Sequence, residues 1–234
     1  DGVMTTDPRL VPDARSIKRL SYREIAELAY YGARVLHPLT IRPVVEAGIP
    51  LRIKNTFNPD HPGTRIVKEA VENNGKIKAV TAIRDLSLVN VEGKGMMGVP
   101  GIAARTFGAV ARSQVSVLLI SQASSEQSIC FTIPEDCTDE AIASLEEEFS
   151  AELDRRDVDQ IWAQRSVAIV TVVGAGMRGT PGIAGRLFGA LGAEGLNIIA
   201  IAQGSSECII SMVVDDHDTA AALAAIHGLI IGDR

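Results

Sequence analysis

The sequence predicts a mixed α/β chain: two interlocked copies of one β-α-β-β-α-β sandwich, preceded by a smaller α/β segment. Three observations carry that expectation. Residues 89–133 and 170–214 align without a gap at an offset of 81, with 20 identities in 45 positions. Chance does not give such a match, so the region is a duplication. Within each copy, β-branched runs alternate with glycine turns and helix-period apolar positions. Residues 1–66 carry helix and strand signals but too few apolar positions for a core of their own.

Both copies parse in the same order. A β-branched run (Leu86–Val91; Val167–Val173) reads as a strand. A glycine-rich loop follows, ending in Pro100-Gly101 or Pro181-Gly182. A helical stretch comes next, with Ile102, Phe107 and Val110 in the first copy and Ile183, Phe188 and Leu191 in the second. A second strand (Val115–Ser121; Leu196–Ala202) leads through Gln-x-Ser-Ser-Glu to a third (Ser128–Ile133; Ile209–Val214). A helix closes each copy. Ile142, Leu145 and Phe149 share one face of the first, and Thr219–Ile226 is the Ala-rich second. A fourth strand would complete a ferredoxin-like sandwich. Val158–Gln164 supplies it for the first copy. Only Leu229–Ile231 follows the last helix, so Lys76–Ile83, ahead of the first copy, is expected to cross over and complete the second sheet.

The leading segment opens with a capping box, Ser21-Tyr-Arg-Glu24, that starts a helix running to Gly32. Pro38 suits a helix start, with Gly48 as its stop. Ile49–Lys54 reads as a strand and Asn58–Gly63 as a turn. The expected organisation is a leading segment over 1–68, a polar linker over 69–75, the crossing strand over 76–83, the first unit over 84–165 and the second over 166–234.

Composition narrows the function. The net charge is −6 and no basic block appears, which argues against nucleic acid as partner. No apolar run approaches the roughly 20 residues of a membrane span. The start has neither a basic region nor an apolar one, so no secretion signal is expected, and without an initiator Met the chain is expected to be part of a longer one. Cys130, Cys137 and Cys208 form no paired spacing, as in a reducing cytoplasm. The four histidines, His37, His61, His217 and His227, make no ligand pattern, so no metal site is expected.

Gly93-Lys-Gly95-Met-Met-Gly98 and Gly174-Ala-Gly176-Met-Arg-Gly179 both match GxGxxG after a strand. An oxidoreductase using these loops to bind a dinucleotide is therefore the alternative reading. Three features oppose it. The unit turns antiparallel after its second strand, Pro100 and Pro181 fall where a fingerprint helix would already run, and Gln122 or Gln203 stands where an acidic ribose partner belongs. The glycines can also serve a tight turn and nothing more. The favoured reading is a small ligand. Pro-Gly at a helix start presents backbone N–H groups and the positive dipole end to a carboxylate. Gln122, Ser124 and Ser125 can hold a polar group, with Glu126 and Glu207 as counter-charges. Met96 and Met97 beside the loop read first as core filler. Thr5-Thr6-Asp7-Pro8-Arg9 is a turn whose guanidinium can face phosphate, although a solvated Arg is the plainer reading.

At these residues the chain resembles the C-terminal half of an aspartate kinase. DGVMTTDPRLVPDA, GARVLHP and IPLRIKNTFNPDHPGT are similar to the end of that family's amino-acid-kinase domain, and the duplicated units resemble its two ACT regulatory domains. ISQASSEQSICF and AIAQGSSE are most similar to the threonine-sensitive type. The resemblance implies phosphorylation of L-aspartate by Mg-ATP in a full-length parent, with no catalytic residue and no bound cofactor expected in this chain alone. It implies nucleotide contacts at Met4, Arg9, Arg34 and Val35. Met4 replaces a usual aromatic residue, and Arg34 a frequent lysine. It implies an amino-acid effector at Met97, Gly98, Ile102, Gln122, Ser124, Ser125, Glu126, Asn197, Ile198 and Gln203, and a cytoplasmic homodimer joined through the ACT domains. Lysine-sensitive relatives carry an acidic residue where this chain has Leu118. Threonine is therefore the expected effector, ahead of lysine.

Overall fold

The computed structural model describes residues 1–32, 43–44, 46–68, 76–122, 127–204 and 207–232. It divides into two compact units: Arg84–Ala168, and Asp1–Ile83 together with Ile169–Arg234. The first copy lies in the former. The leading segment and the second copy share the latter. The predicted helix at Pro38 and the 69–75 linker fall largely or wholly outside the described residues.

The chain order is β1 (Arg19–Ser21), α1 (Tyr22–Tyr30), β2 (Leu51–Ile53), β3 (Thr64–Val67), β4 (Ala79–Glu92), α2 (Ile102–Arg112), β5 (Leu119–Gln122), β6 (Ser128–Pro134), α3 (Thr138–Glu148), α4 (Ser150–Arg155), β7 (Gln160–Val173), α5 (Ile183–Ala193), β8 (Ala200–Ala202), β9 (Ile209–Asp215) and α6 (Thr219–Gly232).

Two predicted pairs of strands are single strands. β4 carries the predicted Leu86–Val91 and most of Lys76–Ile83, and β7 carries most of Val158–Gln164 and all of Val167–Val173. Each passes from one unit into the other. Asp85 and Ser166, 81 residues apart, adopt φ of 59° and 55° inside these strands. An L-residue in the left-handed region interrupts the pleat without ending the strand, which is why the polar stretches around them read as breaks.

In the unit Arg84–Ala168 the sheet order is β5-β6-β4-β7. β6 pairs antiparallel with β4 on one side and with β5 on the other, and the Asp159 N–H donates to the Glu92 carbonyl at 2.7 Å. This is the ferredoxin-like arrangement, with the chain's fourth strand beside its first. Val89, Val91, Ile129, Phe131 and Ile133 of the sheet meet Val110, Leu145 and Phe149 of the helices in one core. The Arg105 guanidinium joins α2 to the end of α3 and to α4. It donates to Glu148 at 2.8 Å and Glu152 at 2.7 Å, and stacks over the Phe149 ring.

In the other unit the order is β4-β7-β9-β8, so the second copy's fourth strand is the start of β4. The Lys78 N–H donates to the Val173 carbonyl at 2.9 Å. The crossing strand is thus in place, and the candidate at Leu229–Ile231 is the last turn of α6 instead. α6 is Ala- and Ile-rich on all sides, so no periodicity marked its end. A small sheet, β1-β3-β2, carries the leading segment. The capping box is as predicted: Ser21 Oγ accepts from the Glu24 N–H while the Glu24 carboxylate accepts from the Ser21 N–H. Leu20, Ile25, Leu28 and Ile66 pack with Val173 and Ile209 of the second copy. The leading segment therefore completes its core on that copy's sheet.

Candidate functional site: the glycine corners

Each corner is built by the same local geometry. After Glu92 the chain makes one 3-10 turn, Lys94–Met96, and after Val173 the same turn, Ala175–Met177. The helix begins only at Ile102 or Ile183, with Gly101 or Gly182 as a left-handed N-cap. A dinucleotide fingerprint needs its helix to start among the glycines. The interposed 3-10 turn and the antiparallel strands therefore oppose the oxidoreductase reading.

The first glycines have a packing role. A Cβ on Gly93 would lie 2.3 Å from the Asp157 carbonyl oxygen, and one on Gly174 would lie 2.6 Å from that of Lys76. Asp157 and Lys76 are themselves 81 residues apart. Only glycine lets the fourth strand enter this close to the corner.

Within the unit Arg84–Ala168 the corner lines an open cavity of about 340 Å³. Gly98, Ile102 and Gln122, all predicted, line it together with Met96, Val99 and Ile129 among others. Met97, also predicted, is not among the lining residues. The 3-10 turn rotates Met96 inward, 2% exposed, and leaves Met97 at 60%, outside the lining. Among the described residues, none that lines the cavity carries an ionisable side chain. Gly101 offers no side-chain cap to α2, so the helix end lends positive potential to the cavity. The predicted Ser124, Ser125 and Glu126 fall outside the described residues. Met96 was legible as core filler, but its place in the cavity wall depends on the turn, which periodicity does not reveal.

The second corner has different partners. Asn197 and Gln203 are exposed and Ile198 is half-buried. Glu207, predicted as a counter-charge for a ligand, accepts from the Gly179 N–H at 2.7 Å. Its own φ is 52°.

In the leading segment, Met4 Sδ accepts from Ser16 Oγ at 3.6 Å. Arg9 is exposed and bound to the Asp7 carboxylate, which raises its pKa by hydrogen bonding and charge. Arg34 and Val35 fall outside the described residues. Thr5 Oγ1 lies 2.8 Å from His227 Nε2 of α6, and burial lowers the His227 pKa. Among the described residues, Asp215, His217 and Asp218 bring one potential ligand atom each within 4.8 Å, as partly exposed acidic groups at a helix start commonly do.

The comparisons with known proteins fit this architecture. The ACT domain model matches residues 89–149 and again 170–229, and the amino acid kinase family model matches residues 1–55. The chain belongs to the ACT-domain family, with two such domains in tandem behind a segment that matches the amino acid kinase family. Within that family its ACT pair is of the aspartokinase regulatory type. It is 44% identical over 234 residues to the bifunctional aspartokinase/homoserine dehydrogenase of Haemophilus influenzae, covering 100% of this chain and 29% of that protein. The crystal structure of Clostridium acetobutylicum aspartate kinase is similar with a TM-score of 0.87 and 30% identity, over 98% of this chain and 52% of that one. E. coli aspartokinase III in complex with lysine and aspartate gives 0.78 and 30%, over 97% and 49%. Among the described residues no helix is long and apolar enough to cross a membrane.

Proposed function

We propose that this chain is the amino-acid-sensing portion of a cytoplasmic aspartokinase, and that its first glycine corner binds the effector. The observation that carries this reading is the cavity at the start of α2. Its volume of about 340 Å³ sits at the small end of ligand pockets. Its wall joins a helix N-terminus, suited to a carboxylate, to the Gln122 amide and an apolar floor of Met96 and Ile129. Such a lining suits a small zwitterion with an uncharged, hydroxyl-bearing side chain. A lysine ammonium would meet no counter-charge among the described lining residues, and an ammonium removed from water needs a partner. Threonine therefore stands ahead of lysine. Lysine is kept as the second reading because E. coli aspartokinase III was solved with it.

The whole protein would phosphorylate L-aspartate with Mg-ATP. The described nucleotide-side residues fit that role only in part. Arg9 supplies one cation, already paired with Asp7, and Met4 supplies a thioether held by Ser16. Among the described residues these two groups do not by themselves position a triphosphate and its metal for transfer, which supports reading the chain alone as inactive. Homodimers form through the ACT sheets: β5 is the outer strand of its sheet, with Ile120 exposed on it.

Calorimetric titration of the purified chain tests the effector. Threonine should bind saturably, and Gln122→Ala should weaken it about ten-fold, the worth of one neutral hydrogen bond. Saturable lysine binding with threonine silent would reverse the order, and no binding of either would end the reading.

A further inference from the structure

The two corners are held from behind by carboxylates of different origin. In the first, the Lys94 N–H donates to Asp159 Oδ2 at 3.2 Å, and Asp159 is exposed. Ala175, 81 residues after Lys94, donates instead to Glu24 Oε1 of α1 at 2.8 Å. The residue 81 before Asp159 is Lys78, and Lys78 Nζ donates to Glu24 Oε2 at 2.9 Å. Where the first copy has its own carboxylate, the second has a cation that recruits a carboxylate from outside the repeat.

That carboxylate is fully buried, and Lys78 is nearly so. Glu24 also accepts from Ser21 N at 2.8 Å and Ser21 Oγ at 2.9 Å. Four donors from three places thus converge on one group: the start of α1, the residue before β4, and the corner of the second ACT domain. A charge held this way cannot lose a donor without exposing a large desolvation cost. We propose that Glu24 fuses α1 and the second glycine corner into one cooperative unit, so that a displacement at either is felt by the other. The amino-acid-kinase segment would receive a signal from the second ACT domain through this carboxylate, whichever effector is bound. The contact of Thr5 with His227 of α6 ties the same two regions at a second point.

Native-state amide exchange on this chain tests the inference without any ligand. In low denaturant, α1 amides from Ala26 to Tyr31 and corner amides Ala175, Met177 and Thr180 should open together with one denaturant dependence. In Glu24→Gln both sets should exchange at least about ten-fold faster, as expected for losing a charge-assisted bond. Met96 and Val99 of the first corner should be unchanged. Asp159→Asn should do the converse, accelerating the first corner alone. Independent opening of the two sets in the wild-type chain would overturn the inference, and so would acceleration of α1 alone or of both corners equally in Glu24→Gln. If Glu24→Gln does not fold, the wild-type exchange decides.

Discussion

The two glycine corners share their loop sequence but not their partners. Both place a glycine where the fourth strand's entry leaves no room for a Cβ, against Asp157 in one and Lys76 in the other. Both start their helix on a left-handed glycine. The recurrence of GxGxxG therefore records a packing demand that duplication copied. The difference lies in groups brought from elsewhere: Asp159 or Glu24 behind the corner, and Glu207 on Gly179 in the second. A motif specifies the shape of a corner, while its charge environment is set by residues the motif does not contain.

The largest effect that can break this comparison is at Lys78. Lys78→Met leaves Glu24 buried without its cation, and chemical denaturation should register a loss of about 3–5 kcal/mol. Asp159→Asn, at the exposed equivalent, should cost about 1 kcal/mol or less. Equal losses would mean that the two carboxylates do the same job. Next come the tight glycines. Gly93→Ala and Gly174→Ala should each destabilise by about 1–3 kcal/mol through overpacking against backbone. If either is tolerated, the packing account of that corner fails. Gly98→Ala is smaller. Its φ is 71° with open space around it, so only the left-handed penalty of about 1 kcal/mol applies.

The smallest effect is a pH dependence confined to the unit holding the second copy. Burial lowers the His227 pKa; the Asp13 charge opposes the shift and Arg15 reinforces it. Because the folded value lies below the unfolded value of about 6.5, the unfolded chain binds the proton more readily. The stability is complete above that pH and is lost as pH falls towards the folded value. Thermal melts should fall below about pH 6.5 in the wild-type chain and flatten in His227→Asn. An identical pH profile in the variant would remove His227 from the account.

Much of this was legible in the sequence because it is local or repeated. The capping box at Ser21 and Glu24 is a signal spanning four residues, and the offset of 81 fixed the order of elements in each copy. The Pro-Gly helix starts and the polar turn at Asn58–Gly63 follow from backbone chemistry alone. What stayed hidden is non-local or very short. β1 and β3 have three and four residues, too few to display a period of two. β5 is confined to Leu119–Gln122 although its apolar run starts at Val115, because the Val115 N–H still bonds the Val110 carbonyl of α2 and only from Leu118, whose N–H donates to the Thr132 carbonyl, does the run pair with β6. Of the site, Gly98, Ile102 and Gln122 could be chosen by residue type. Glu24 could be recognised only as a cap, since its two further donors lie 54 and 151 residues away.

The central claim is that the first corner holds a free amino acid. Chemical-shift mapping of the isotope-labelled chain during titration with L-threonine addresses it most directly. The account predicts saturable shifts concentrated at Gly98, Gly101, Ile102 and Gln122, which line one cavity. Saturable shifts that leave those four amides unmoved would contradict it.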